Sequence, residues 1–242
     1  MEIIKSFLRK ILGPIYNPLK DLYYKLIYLL FKTFKSKKGV LIYIGINTGE
    51  SFKRIYYKYK IVIGFEPNPE NFKKLEKYNQ IKDVFLYPYA VSDKNGVGFL
   101  HLPSNKNNAA AASLSDFTSA REGIFSIDKI KVKIVSLNEV LKKHKINFID
   151  MYVSDIEGYD FKVLSSMSEY INKKRIRKIQ VEAFQNHVKN PYKSASNYEK
   201  QFDKLLNKNY DKIGRGWGTL KNGVFHSDRS DHFSIDLLYE LK

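Results

Sequence analysis

Two short segments carry residues able to do chemistry. In Asp155-Ile156-Glu157-Gly158, two carboxylates stand two positions apart, next to a glycine. Such a carboxylate can take the proton from a hydroxyl as that hydroxyl attacks. The same pair can also cap a helix or form a loop ion pair. In Gly45-Ile46-Asn47-Thr48-Gly49, the glycines let a ligand approach the backbone where a Cβ would block it. Glu66 follows Gly45 by 21 residues. An acid at that distance, ending the next strand, is placed to accept hydrogen bonds from ribose hydroxyls. Turn and acid together describe a site for an adenosine-bearing cofactor.

What the segment lacks narrows the cofactor. No Gly-Lys-Ser/Thr follows, so there is no phosphate loop, and Asn47 occupies the middle-glycine position of a dinucleotide fingerprint. A pyrophosphate has little to hold it. An adenosine without phosphate fits better, which points to S-adenosylmethionine. The chain has no cysteine, so disulfides, zinc–thiolate centres and cysteine nucleophiles are excluded. Asp155, Glu157 and Glu182 are an alternative set for a divalent cation, but no His/carboxylate spacing is diagnostic, and no residue is assigned to a metal. His187, His226 and His232 are candidate bases or plain surface histidines. Trp217, between Gly216 and Gly218, is a sugar-stacking platform or an edge filler.

The elements that must position these residues alternate along the chain. Apolar runs predict strands at 40–44, 61–65, 84–89, 97–102, 131–135, 148–153, 177–183 and 232–240. Helical patterns fall near 48–58, 69–78, 137–143, 159–168 and 196–207, with Pro69 in a first turn and Ser136 as an N-cap. Residues 103–130 read as a polar loop, and Gly214, Gly216 and Gly218 as a glycine-rich one. Strands alternating with helices imply an α/β domain with a largely parallel, doubly wound sheet. Glu66, Asp155 and Glu182 then all end strands on the edge where open α/β sheets bind ligands.

The 242 residues, 43% of them hydrophobic, suffice for one α/β domain over 39–242 plus an extension over 1–38. Net charge is +17, and abundant Lys, Ile, Asn and Tyr attribute much of it to compositional bias. The excess is uneven: residues 1–39 hold nine Lys/Arg against two acids. This extension reads as two basic amphipathic helices broken at Gly13-Pro14 and Asn17-Pro18. Its longest apolar run, Leu26–Phe31, is too short to span a bilayer, and no small-residue cleavage site follows. Residues 1–35 can lie in a membrane interface, or pack on the domain or on a second subunit as a homodimer contact. The expected location is cytoplasmic, peripheral at the inner face of the membrane if the helices are interfacial. Basic charge also admits a nucleic-acid acceptor, but the excess sits away from the glycine turn.

Taken in order, several segments resemble the FkbM-type family of S-adenosylmethionine-dependent methyltransferases. Val40 to Gly49 looks like its first cofactor motif. Phe65-Glu66-Pro67-Asn68-Pro69-Glu70-Asn71-Phe72 is similar to its second. Ala90-Val91-Ser92-Asp93-Lys94-Asn95-Gly96, Ala111-Ala112-Ser113-Leu114, Ser136–Leu141, Ile149–Gly158 and Val181-Glu182 complete the series. The resemblance implies a Rossmann-like class I methyltransferase fold, mostly parallel, with an antiparallel strand near the carboxyl terminus. It implies cofactor contacts at Gly45, Asn47, Gly49, Glu66, Asn68, Ala90 and Val91, and catalysis at Asp155 and Glu157. It further implies O-methylation of a glycan or small natural product, lipid-linked if the extension is interfacial. A non-catalytic binding protein of the same fold is the other reading. Two positions depart from the family pattern: Tyr43 stands where an acid is usual, and Val153 where a lysine is usual.

Overall fold

The apolar runs at 40–44 and 61–65 have no polar side to expose, so they pair as neighbouring parallel strands inside the molecule. They are β1 (Lys38–Ile44) and β2 (Tyr59–Phe65), with Ile42 opposite Ile63. A computed structural model describes residues 38–103, 112–118, 126–216 and 233–242, with 18, 19, 22–24 and 26 of the amino-terminal segment. Most of the expected extension, the loop calls over 104–111 and 119–125, Trp217, Gly218, His226 and His232 lie outside the described residues.

The remaining strands are β3 (Val84–Tyr87), β4 (Ala90–Ser92), β5 (Gly96–Pro103), β6 (Ser126–Ser136), β7 (Met151–Ser154), β8 (Lys178–Phe184), β9 (Tyr210–Gly216) and β10 (Ser234–Leu241). The helices are α1 (Pro69–Leu75), α2 (Leu137–Lys143), α3 (Asp160–Ser166), α4 (Ser168–Asn172) and α5 (Glu199–Leu206). The main sheet has the order β3-β2-β1-β7-β8-β10-β9. Within it β10 alone runs against the others. A second sheet, β4-β6-β5, packs beside it.

Successive side chains of a strand face opposite sides, so each central strand feeds two cores. Ile42 and Ile44 join Phe65, Val91, Leu137 and Val181 on one face. Leu41 and Tyr43 join Phe52, Tyr56, Val153 and Leu238 on the other. The doubly wound sheet therefore holds its loops on a rigid, two-sided support.

Three local expectations need correction. The segment 48–58 is not one helix but two 3-10 turns, Phe52–Arg54 and Tyr56–Lys58. Phe52, Tyr56 and Tyr57 are all buried, and a regular helix cannot turn adjacent rings to one core. Ile55, at φ −128°, breaks the helix and lets both tyrosines turn in. The glycine-rich loop is in part a strand, since Gly214 and Gly216 lie in β9 at the sheet edge, where glycine is tolerated. Ser136 precedes α2, but its side chain makes no capping bond. No helix among the described residues is long and apolar enough to cross a membrane.

Candidate active site

The glycine turn begins where β1 ends. Gly45 (φ +81°), Asn47 (φ +55°) and Gly49 (φ +85°) adopt left-handed backbone, which a Cβ disfavours. Gly45 and Ile46 donate their N–H groups to the Phe65 carbonyl at 3.0 and 3.1 Å, bending the chain across the top of β2. A Cβ on Gly45 would stand 2.0 Å from the Asp155 carbonyl oxygen. Glycine is thus required because the turn passes directly over the end of β7.

Glu66 ties the turn to the next loop. Its Oε2 accepts from the Asn47 N–H at 2.7 Å and its Oε1 from the Asn68 N–H at 2.9 Å. The Asn71 amide donates to Asn47 Oδ1 at 3.0 Å and closes the set. Burial raises the Glu66 carboxyl, against these amide bonds, which favour the charged form. Each carboxylate oxygen has a further lone pair for a ligand hydroxyl. Asn68 uses its side-chain oxygen to cap α1, accepting from the Glu70 N–H at 3.0 Å.

Beside the turn lies a narrow, largely apolar cleft of about 30 Å3, room for about one water molecule. Gly45, Pro67, Ala90, Val91, Leu114 and Tyr159 are among its walls. Ala90 and Val91 belong to β4, a strand hidden inside the expected 90–96 turn. As it stands the cleft is too small for an adenine ring, so a base enters only if its walls part. The glycine cradle and Glu66 suit an adenosine with no phosphate to hold.

The acids gather at the carboxyl edge of β7 and β8. Glu157 is held at φ +53°, its carbonyl accepts from the Ser113 hydroxyl at 2.7 Å, and its carboxylate accepts from the Tyr192 hydroxyl. Asp155 is exposed, although protein surrounds it closely. Glu182 is the register partner of Asp236. Carboxylate oxygens of Asp155, Glu157 and Glu182 lie within 4.8 Å of one another. Burial first, then the charges of Glu157 and Asp236, hold the Asp155 carboxyl well above the usual range. Burial, then Glu157 and Asp155, raise Glu182 in the same way.

Asp160, Asn197 and Tyr192 organise this edge, and sequence reading did not single them out. Asp160 is buried and accepts from Ser154 Oγ at 2.5 Å, from the Asn197 amide at 3.1 Å and from the Ile156 N–H at 3.3 Å. Its signal was faint: an ordinary acid at a helix start, whose partner lies 37 residues on. Burial pushes its carboxyl up to about 7, against the Ser154 and Ile156 bonds. The folded chain therefore keeps this proton where the unfolded chain has released it. The stabilisation is fully present below about pH 4 and lost as pH rises to about 7, a change of about 4 kcal/mol. The urea midpoint is expected to fall across that window, and Asp160→Asn to lessen the fall. Equal slopes in both proteins would contradict this assignment.

The two departures from the family pattern are neighbours. Tyr43 and Val153 are register partners on β1 and β7, and both enter the same core. The Tyr43 ring packs edge-on against Phe52 at 5.7 Å, and burial raises its hydroxyl. Where the pattern has an acid and a lysine side by side, this chain has an apolar pair. The two replacements are mutually consistent, because a lone charge there would be buried without its partner.

The doubly wound sheet with one antiparallel strand is a class I methyltransferase fold, with a glycine turn after β1 and an acid after β2. The chain belongs to the methyltransferase FkbM domain family, whose model matches residues 43–211, and the family uses S-adenosylmethionine. Among solved structures, a methyltransferase FkbM from Methylobacillus flagellatus KT is similar at 14% identity and TM-score 0.43, over 85% of this chain and 43% of that one. The present chain thus spans less than half of that relative. The N-methyltransferase NodS from Bradyrhizobium japonicum WM9 matches at 10% identity and TM-score 0.41, over 94% and 98% of the two chains. The magnesium protoporphyrin IX methyltransferase ChlM from Synechocystis PCC 6803, solved with SAM bound, matches at 8% identity and TM-score 0.41, over 91% and 79%. No curated protein matches the chain.

Proposed function

We propose that the protein transfers a methyl group to a hydroxyl oxygen of a glycan or small natural product. The observation that carries this reading is Asp155, an exposed carboxylate of raised proton affinity beside the glycine turn. A base whose proton affinity lies nearer neutrality serves a hydroxyl better than an ordinary carboxylate. Bound S-adenosylmethionine supplies an electrophilic methyl group. The chain's own residues hold, orient and deprotonate. The backbone of Gly45, Asn47 and Gly49 cradles the donor, and Ala90 and Val91 flank its base. Glu66 accepts from the ribose hydroxyls, and Asn68 holds the loop behind it. Asp155 takes the acceptor's proton, and Glu157 raises its affinity for that proton. Alignment of acceptor oxygen and methyl provides most of the acceleration.

A lipid-linked acceptor suits the amino-terminal segment, where Leu19, Leu22, Tyr23 and Leu26 are exposed among many lysines. On this reading residues 1–35 rest on the inner face of the membrane.

The test is transfer of labelled methyl to panels of saccharides, hydroxylated small molecules and RNA. An alkali-stable ether on a saccharide or small molecule is the expected product. Labelling of RNA alone would overturn the reading. Glu66→Ala is expected to weaken S-adenosylhomocysteine binding about 10- to 100-fold by calorimetry, the loss of hydrogen bonds to a charged group. An unchanged Kd in a folded variant would remove Glu66 from the donor site.

A further inference from the structure

We propose that Asp155, Glu157 and Glu182 form a binding site for one hard divalent cation, of the Mg2+ or Mn2+ kind, at the carboxyl edge of β7 and β8. Its role in methyl transfer rests on the reading above; the binding itself does not.

The geometry comes first. One carboxylate oxygen from each residue lies within 4.8 Å of the others. Ligands of a cation with metal–oxygen bonds of ~2.1 Å stand ~3 Å apart when adjacent and ~4.2 Å when opposite, so the three carboxylates need to close on it by about 1–2 Å of side-chain rotation. All three donors are carboxylate oxygens, the set preferred by Mg2+, Mn2+ and Ca2+ over zinc or copper. Three protein ligands leave coordination positions for water or an acceptor hydroxyl.

The second observation is an unanswered polar atom. Glu182 is only 9% exposed, and its Oε2 is buried with no hydrogen-bond partner among the described residues. The Ser234 hydroxyl bonds the same carboxylate, which fixes the group without neutralising it. A buried carboxylate oxygen with no partner is costly, and a cation is the partner that its position beside two other acids calls for.

The surrounding charge points the same way. The charges acting most strongly on Asp155 are those of Glu157, Asp236, Asp160 and Glu66. Neither Asp155 nor Glu182 forms an ion pair among the described residues, in a chain that carries 42 Lys and Arg. Glu157 is orientated by the Tyr192 hydroxyl and by its left-handed backbone, both of which turn it toward a fixed position. Two carboxylates, Asp155 and Glu182, without an ion pair among the described residues are groups that a cation would stabilise.

Such a cation would lower the proton affinity of the carboxylates that hold it, and an acceptor hydroxyl bound to it would lose its proton more readily.

The probe is Mn2+ alone, followed by electron paramagnetic resonance on the full chain without donor or acceptor. One Mn2+ per chain is expected, with Kd below about 1 mM and displaced by excess Mg2+. Asp155→Asn and Glu182→Gln are each expected to weaken it at least ~10-fold, and the exposed Glu169→Gln to leave it unchanged. Asp155 is solvent-facing, so its variant reports even if loss of the buried Glu182 charge perturbs folding. No saturable Mn2+ binding, or equal binding by the wild type and Asp155→Asn, overturns the site. Full methyl transfer in EDTA overturns a role for the cation in the reaction, and leaves the site to be decided by the Mn2+ titration. Bound Mn2+ with no hydroxyl acceptor methylated supports the site and overturns the reaction.

Discussion

Asp155→Asn is expected to lower kcat by about 10²- to 10⁴-fold, the range for loss of a positioned base, with little change in S-adenosylhomocysteine affinity. Asn keeps the shape of the side chain and removes only its capacity to take a proton. The side chain is exposed, so the substitution leaves no buried cavity. Glu157→Gln separates base from tuner. The Glu157 charge is the largest electrostatic influence raising the Asp155 carboxyl, second only to burial. Without it, the acidic limb of the kcat profile moves to lower pH, because Asp155 then loses its proton earlier. The Tyr192 hydroxyl can still donate to the Gln oxygen, so the loop keeps its support. Wild-type kcat in Asp155→Asn would place the base elsewhere. An unmoved pH limb in Glu157→Gln would dissociate the two acids.

Gly45→Ala carries the largest expected effect on folding. The new Cβ would meet the Asp155 carbonyl oxygen at 2.0 Å, and the backbone there sits at φ +81°. The left-handed conformation costs roughly 1–2 kcal/mol for alanine, and the overlap adds roughly 1–3 kcal/mol. The obstacle is backbone, not the end of a flexible side chain, so relief requires β1 and β7 to separate. The melting temperature is expected to fall by roughly 5–15 °C. Gly49→Ala should cost less, since its Cβ would meet only the movable Leu75 Cδ2 at 2.8 Å. Gly96→Ala, with nothing within 4 Å, is the control expected to leave stability near wild type. A melt of Gly45→Ala equal to that of Gly96→Ala would refute this account of the turn.

Asp155 and Gly45 are one construction seen from two sides. The carbonyl that forbids a side chain at Gly45 belongs to the residue proposed as the base. Donor cradle and proposed base are therefore coupled through a single backbone contact. Part of the effect of Gly45→Ala on turnover should come from displacement of Asp155.

What was legible in the sequence was local. Runs of 4–7 apolar residues, the glycines after β1 and the Glu66-Pro67-Asn68-Pro69 segment announce themselves over a few positions, because strand burial, left-handed backbone and proline-set turns are short-range demands. Those determined the α/β class, the order of its main elements and the adenosine-type turn. Other features were decided only by tertiary structure, because they depend on which strands become neighbours and in what register. The pairing of Tyr43 with Val153 turned two departures into one apolar contact. β9, with glycines where a strand would have apolar residues, exists because β10 offers it an edge. Asp155 and Glu157 are two positions apart in sequence, but Glu182 reaches them, and Asp236 reaches Glu182, only through the β7–β8–β10 ladder. Proximity of like charges across strands leaves no trace in local pattern, and it is this proximity that gives the acidic edge its chemistry.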